Sequence, residues 1–441
     1  MSLSDVSRQF ARLTYEAMFA RAAGLLGSFV ANIMIARALG AEGKGVLTIL
    51  GVWSGLLASF FSYGIHLAVI YELGARPWHA RRFFKCVFPY VFVATGLVVT
   101  GGILVQDIIG HPEIPLGLFA SLFAVQLLCS LFYAILIGLR NQSAVNWLFA
   151  YGSIAYPALI GVLLVFRGNL DVLVVAVCMV LLPAVMGMYS LYLVLKQVAS
   201  QEGTEERSFH WGSFLQYAAK STAMGAGSII YLQVVVMVLS VRCNAADVGV
   251  FSVAMMLIDT TMVIPSMIIA FVLPRWSGLS RAEVFIRASR VVRLTHPITL
   301  LIAVGVTVLG IALAEPIFGK DFTEVGKLAL IMVPGAWATT GITVVSTCFL
   351  AQNQHKVPTI LAWMGAVLAG GLVWWLLPVY GCIGAAMAVS ISRLVMLSWG
   401  RYEFRRADPG VPHVWWTPTR EDFHAWSQII GHTLQKVRKG S

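Results

Sequence analysis

Ala36-Arg37-Ala38-Leu39-Gly40-Ala41-Glu42-Gly43-Lys44-Gly45-Val46-Leu47 closes one apolar stretch and opens the next. Ser240-Val241-Arg242-Cys243-Asn244-Ala245-Ala246-Asp247-Val248-Gly249-Val250-Phe251 does the same much further along. Gly45-Val46-Leu47 aligns with Gly249-Val250-Phe251 at an offset of 204 residues, and Ala41 falls on Ala245. That offset is close to half of the 441 residues, so the two stretches occupy equivalent corners of two halves.

The rest of the chain supports this division. Hydrophobic residues make up 59% and charged residues 12%, with a mean hydropathy of +0.82. A soluble domain cannot hide so much apolar surface, which leaves a polytopic membrane protein. A spanning helix needs about 20 apolar residues. Spans fit at 16–37, 46–71, 84–105, 115–138, 144–166, 171–195, 213–241, 248–273, 291–314, 328–350, 357–377 and 380–400. The expected fold is all-α, about twelve transmembrane helices in two six-helix bundles around a central cavity. The halves are 1–205 and 206–404, with a tail at 405–441. Six is even, so both halves enter from one side and form a parallel repeat about an axis along the membrane normal. Two bundles that rock about a cavity describe an alternating-access transporter. The first ten residues are largely polar, so no cleavable signal is expected before the first span.

Placing the N-terminus in the cytoplasm puts 22 of the 31 Lys and Arg on the cytoplasmic side and six outside, among them Arg37 and Lys44. This is the positive-inside pattern, with both termini cytoplasmic. It accounts for the net charge of +11 through anionic inner-leaflet lipid rather than nucleic acid. The six cysteines are scattered, without CxxC or metal spacing, and read as small apolar residues. The connections near 196–212 and 274–290 read as short amphipathic linkers. In the tail, Trp415, Trp416, Phe423, Trp426, Ile429, Ile430 and Leu434 predict an interfacial helix from Thr419 onward, and Leu3, Val6, Phe10 and Leu13 share a helical face.

Three basic residues remain inside spans: Arg21, Lys220 and Arg393. A cation at the centre of a bilayer costs about 2.5–3.5 kcal/mol on insertion scales, so it faces a watery cavity or a partner, or snorkels to the headgroups. All three lie roughly 8–11 Å from the cytoplasmic end of their span at 1.5 Å per residue. Asp259 is the deepest acid and a candidate for proton or sodium coupling, or a structural neutraliser of a cation; His66 and His296 are weaker candidates. Asn32, Gln126 and Gln233 sit near mid-span, where such groups hydrogen-bond a polar substrate or tie helices together. Trp53, Trp147, Trp337, Trp374 and Trp375 fit an interfacial belt or stacking on sugars. Pro157, Pro183, Pro265 and Pro334 mark kinks. No nucleotide-binding loop, paired carboxylates, nucleophile–histidine set or metal cluster is readable, so no cofactor is expected; the energy would come from a proton or sodium gradient, the membrane potential or a substrate gradient.

Several pieces carry a resemblance in their order and spacing. They are Ala36–Glu42 with Gly45, Ser62-Tyr63-Gly64-Ile65 with Ala68, Gly138-Leu139-Arg140-Asn141 and Ala246–Phe251. Phe271–Arg275, Ile317–Phe322 and Pro378–Ala386 complete the set. Nearly the whole chain resembles the Wzx-type lipid-linked oligosaccharide flippases, of the superfamily that also holds the multidrug extruders. The resemblance implies two bundles around a cavity and movement of an undecaprenyl-diphosphate-linked glycan from the inner to the outer leaflet of the cytoplasmic (inner) membrane, for cell-surface polysaccharide. Polysaccharide polymerase and glycosyltransferases are the implied partners. Many relatives carry an acid near the position of Gln233, so its absence here puts coupling through this position in doubt. For a diphosphate, Arg21 and Arg393 would supply guanidinium forks and Lys220 a point charge. An ion-coupled drug antiporter of the same superfamily would instead want acidic cavity residues. A membrane-embedded glycan polymerase or ligase would want a large outer loop bearing Arg or His, and a non-transporting scaffold is the remaining class.

Overall fold

The computed structural model describes residues 3–109, 115–199, 209–262, 276 and 279–408. Among these residues the fold is all helical, without a strand. In chain order the helices are α1 (Leu3–Ala75), α2 (Ala80–Ile109), α3 (Leu116–Gly138), α4 (Gln142–Arg167), α5 (Val172–Ala199), α6 (Trp211–Arg242), α7 (Ala245–Thr260), α8 (Arg281–Phe318), α9 (Val325–Ala351) and α10 (Lys356–Ala407). All but α7 are long and apolar enough to cross a membrane. Pro265, the stretch around Phe271–Arg275 and the tail helix expected beyond Thr419 lie outside the described residues.

Two of the helices are hairpins. Each contains one glycine in the left-handed region, Gly40 (φ 68°) in α1 and Gly381 (φ 58°) in α10, a conformation open to glycine at little cost. In α10, a Cβ on Gly384 would lie 2.5 Å from the carbonyl of Leu376, and Leu361 packs at Gly400. Residues eight apart in a straight helix are about 12 Å apart, so the chain reverses between them. In α1 the reversal follows from its neighbours. Phe19 and Met34 meet Trp147 and Gly161 of α4, in the same order along both helices. His66 and Leu73 meet Ser130 and Gly138 of α3, again in the same order. Because α3 and α4 are joined by a tight connection at 139–141, the two arms of α1 run in opposite directions. Counting each hairpin twice gives eleven apolar spans among the described residues, and the shorter α7 occupies the place of the remaining one of the expected twelve. Phe92, Val165, Phe166 and Trp375 leave most of their surface uncovered, as lipid-facing side chains of a multi-pass membrane protein do.

The starts of several helices are set by their caps. Asn141 Oδ1 accepts from the Ala144 amide at 3.3 Å, and Asn244 Oδ1 from the Asp247 amide at 2.8 Å. Ser280 and Glu283 form a capping pair in which Glu283 Oε2 accepts from the Ser280 amide at 3.1 Å and hydroxyl at 2.8 Å. This corrects the linker expected over 274–290. From Arg281 that stretch is helix, anchored by Phe285 packed against Phe349 and Phe404.

By its own contacts the chain forms two compact units. Unit 1 holds residues 1–253 and 313–325; unit 2 holds 254–312 and 326–441. The first division falls at Val253 because α6 and the start of α7 pack on α1. Tyr63 lies against Gly225, the Tyr71 and Tyr217 rings stack at 5.1 Å, and Trp53 Nε1 donates to Ser240 Oγ at 3.0 Å.

The internal repeat is visible inside unit 1. Gly45 abuts the backbone carbonyl of Ala245, and Gly249 abuts that of Ala41. Thr48 Oγ1 lies 3.3 Å from Ser252 Oγ, its own counterpart at an offset of 204. Contacts that exchange i with j in this way define a local two-fold axis, which passes between Thr48 and Ser252. A Cβ at either glycine would overlap a carbonyl, which is why glycine recurs there.

The segment 313–325 joins unit 1 through an exchange of helix caps. The Arg37 guanidinium donates to the carbonyl of Ile317 at 2.8 Å and to that of Pro316, both in the last turn of α8. Asp321 Oδ2 accepts from the Ala41 amide at 3.2 Å, where the second arm of α1 begins after Gly40. Two of the motifs that carry the family resemblance therefore meet in space.

Candidate functional site

Unit 1 contains two adjoining chambers. The larger, about 520 Å³, lies among α1, α3, α4 and α5 and is lined by His66, Gln126, Ser130, Tyr133 and Tyr156 together with apolar residues. The smaller, about 270 Å³, is lined by Ser28, Asn32 and Lys44 of α1 with Tyr156 of α4. Ser153, Tyr156 and Met179 line both, so the chambers adjoin there. Pro157 and Pro183 stand four residues after Ser153 and Met179, and a proline has no N–H for the carbonyl one turn back. The helices are thus weakened in hydrogen bonding where the chambers join.

The polar groups are held in defined orientations. His66 Nδ1 lies 3.0 Å from the Ser130 carbonyl, an acceptor only, so that nitrogen carries the proton and Nε2 is the acceptor of the neutral ring. Asn32 Nδ2 donates to Ser28 at its carbonyl (2.7 Å) and hydroxyl (3.3 Å). Gln126 Oε1 has no hydrogen-bond partner among the described residues, and Gly55 leaves it room. Lys44 Nζ donates to Thr48 Oγ1 at 3.2 Å. Among the described residues, no carboxylate lines either chamber.

Of the residues singled out in the sequence, unit 1 brings Asn32, Gln126 and His66 together around these chambers. Arg21 on α1 and Lys220 on α6 are exposed on the same unit, and Gln233 is half-buried on α6; none of the three lines a chamber. Arg393 belongs to unit 2, where it is 9% exposed and packs its aliphatic stem beside Gly335 of α9. Asp259, also in unit 2, lies at the surface of α7 within electrostatic reach of Arg393. His296 is buried next to the Trp337 ring.

Sequence reasoning missed Lys44, Ser28 and Tyr156. Lys44 counts as an outer-loop residue if the turn is placed across 38–45. The helix instead resumes at Ala41, directly after Gly40, which puts Lys44 in its first turn and on one face with Leu47 and Thr48. The phase of Leu47, Leu50 and Ser54, all buried, carried that signal.

No protein-family profile matches the sequence, and no curated protein matches it. Solved structures do. An inward-facing multidrug-resistance MATE transporter of the MOP superfamily superposes with a TM-score of 0.68 at 14% identity, over 90% of this chain and 100% of that one. The chain shares the fold of that transporter. The lipid II flippase MurJ in an inward closed conformation superposes at 0.64 and 13% identity, over 90% of this chain and 87% of its own. A MOP-superfamily transporter from Pyrococcus furiosus, described by a binding pocket of reverse polarity that suggests a different function, superposes at 0.57 and 14% identity, over 90% and 96%. At these identities the likeness is one of fold: about twelve transmembrane helices in a transporter architecture.

Proposed function

We propose that this chain is a flippase that moves an undecaprenyl-diphosphate-linked oligosaccharide from the inner to the outer leaflet of the cytoplasmic membrane, by alternating access. The product would feed a cell-surface polysaccharide such as exopolysaccharide or O-antigen. The observation that carries this reading is the polarity of unit 1: among the described residues its chambers hold the cation Lys44 and no carboxylate. A cation extruder needs fixed negative charge, whereas an anionic headgroup needs donors and positive charge. The MOP-fold relative whose pocket has reverse polarity is an instance of the same fold with altered pocket charge. In this reading both termini are cytoplasmic, and Arg21, Lys220 and Arg393 serve the diphosphate along a path not confined to the chambers. Anionic lipids meet the basic face, glycosyltransferases supply the substrate and a polymerase consumes it.

One observation favours a second reading, ion-coupled antiport of organic cations: Asp259 is a carboxylate exposed on α7. Reconstitution separates the two. Proteoliposomes given fluorescent undecaprenyl-diphosphate-linked glycan, with leaflet access read by a membrane-impermeant quencher, should show protein-dependent flipping and no gradient-driven uptake of a cationic dye. Dye uptake without glycan flipping would establish the antiporter instead.

A further inference from the structure

We propose that the smaller chamber of unit 1 is a binding site for a small monovalent inorganic anion of the chloride type, held by Lys44 with hydroxyl donors from Ser28 and Tyr156. Lys44 is half-buried, and its side chain turns into the bundle. Among the described residues it makes no ion pair. Glu42, two residues earlier, is rotated about 200° around the helix and exposed. Asp171, which precedes the Val172 that packs at Gly43, is likewise exposed. Two other cations of this unit are matched to acids, Arg12 to Glu16 and Arg76 to Glu72, each at 2.9 Å. A charge taken out of water without a partner is costly, so Lys44 calls for a counterion.

The chamber supplies the rest of such a site. An ammonium has three donors, and Thr48 accepts one, which leaves two for a ligand. The Ser28 hydroxyl accepts from Asn32 Nδ2 and so keeps its own proton for donation. The Tyr156 hydroxyl makes no hydrogen bond among the described residues and borders both chambers. These donors line one chamber with one formal positive charge and no guanidinium fork. A planar or multiply charged oxyanion is favoured by bidentate arginine, whereas a point charge with hydroxyls suits a singly charged spherical ion. The argument does not depend on which substrate is transported.

The test uses the full chain, purified in lipid nanodiscs. Thermal unfolding is followed as sodium chloride replaces sodium gluconate at constant ionic strength, because a ligand of the folded state raises the midpoint in a saturable way. Chloride and bromide should both raise it. Lys44→Met should abolish the halide dependence, and Ser28→Ala and Tyr156→Phe should each weaken halide affinity roughly 5–30-fold. Should the lysine variant not fold, bromide anomalous scattering from wild-type crystals gives the answer directly, with a peak expected beside Lys44 Nζ. The proposal is overturned if the midpoint is indifferent to halide, if the halide effect survives in Lys44→Met, or if the anomalous map is empty there. Inorganic phosphate that binds more tightly than halide at the same residues would overturn the assignment of the ion.

Discussion

The exchange of helix caps between Arg37 and Asp321 makes a prediction that a salt bridge would not. Asp321 neutralises one of the orphan amides at the start of the second arm of α1, and such a cap is worth ~1 kcal/mol. Arg37 satisfies last-turn carbonyls of α8 and opposes the negative end of that helix's dipole, which adds about 1 kcal/mol for an exposed side chain. Removing both by Arg37→Ala and Asp321→Ala therefore loosens the segment by about 2 kcal/mol, or roughly 30-fold in its opening equilibrium. Amide hydrogen exchange over 38–45 and 313–325 reads this opening, since local unfolding sets the exchange rate. The deciding variant is the swap, Arg37→Asp with Asp321→Arg. A direct ion pair would survive it. Reciprocal caps would not: the swap places a carboxylate on carbonyls and a guanidinium on amides. The swapped protein should exchange faster than the double alanine variant. Wild-type protection in the swap, or unchanged protection in both single alanine variants, refutes the reasoning.

Further outcomes follow from close packing and charge. Gly45→Ala and Gly249→Ala should be equally disruptive, each driving a Cβ into a backbone carbonyl, while Gly371→Ala, which meets open space, should be neutral or stabilise by about 0.5–1 kcal/mol; yield and monodispersity on size exclusion separate them. Cysteines at Thr48 and Ser252 should oxidise to a disulfide without added catalyst, read as a mobility shift on non-reducing gels, because their side-chain oxygens are 3.3 Å apart. Gly381→Ala should lower the thermal midpoint by the cost of forcing a side chain into the left-handed region, ~1–2 kcal/mol. Asp259→Asn and Arg393→Met should each destabilise unit 2, and the double variant should cost less than their sum by about 0.5–3 kcal/mol in a thermal double-mutant cycle.

What could be read from the sequence was whatever depends on length, hydropathy and local chemistry. Twelve spans, the hairpin glycines' neighbourhoods and the offset of 204 all belong to this class, and the repeat found its physical cause in Gly45, Gly249 and the carbonyls they admit. The helical extension of α8 back to Arg281 was hidden because basic residues mask the apolar phase of Val284, Phe285, Ala288 and Val292, all buried. The site was less legible. Depth along a span says nothing about azimuth, so Arg21, Lys220 and Arg393 look alike in the sequence, yet Arg393 is buried beside α9 while the other two are exposed. Lys44 was hidden for the opposite reason. Its place at a corner made it look external, and only the tightness of the turn at Gly40 brings it inside.

The repeat is also informative where it fails. Around the axis at Thr48 and Ser252, the residues that set backbone approach are kept in both halves: Ala41 with Ala245 and Gly45 with Gly249. The residues that carry charge are not kept. Lys44, in the chamber, corresponds to Val248, which is fully buried; Gly55, beside Gln126 in unit 1, corresponds to Asp259. The first half thus carries Lys44 where the second carries a buried valine, and the second carries Asp259 where the first carries glycine. A scaffold whose symmetry is steric while its charges differ between the halves cannot treat those halves as equivalent binding sites. An anion is drawn to unit 1 at Lys44, whereas the acid of the second half stands within electrostatic reach of Arg393. Installing the acid in the first half by Gly55→Asp would place a carboxylate at the Gln126 side of the larger chamber. If polarity rather than shape selects the ligand, that variant should lose glycan flipping and gain cationic dye binding. A variant that still flips at the wild-type rate would show that the charge of this bundle does not choose the substrate.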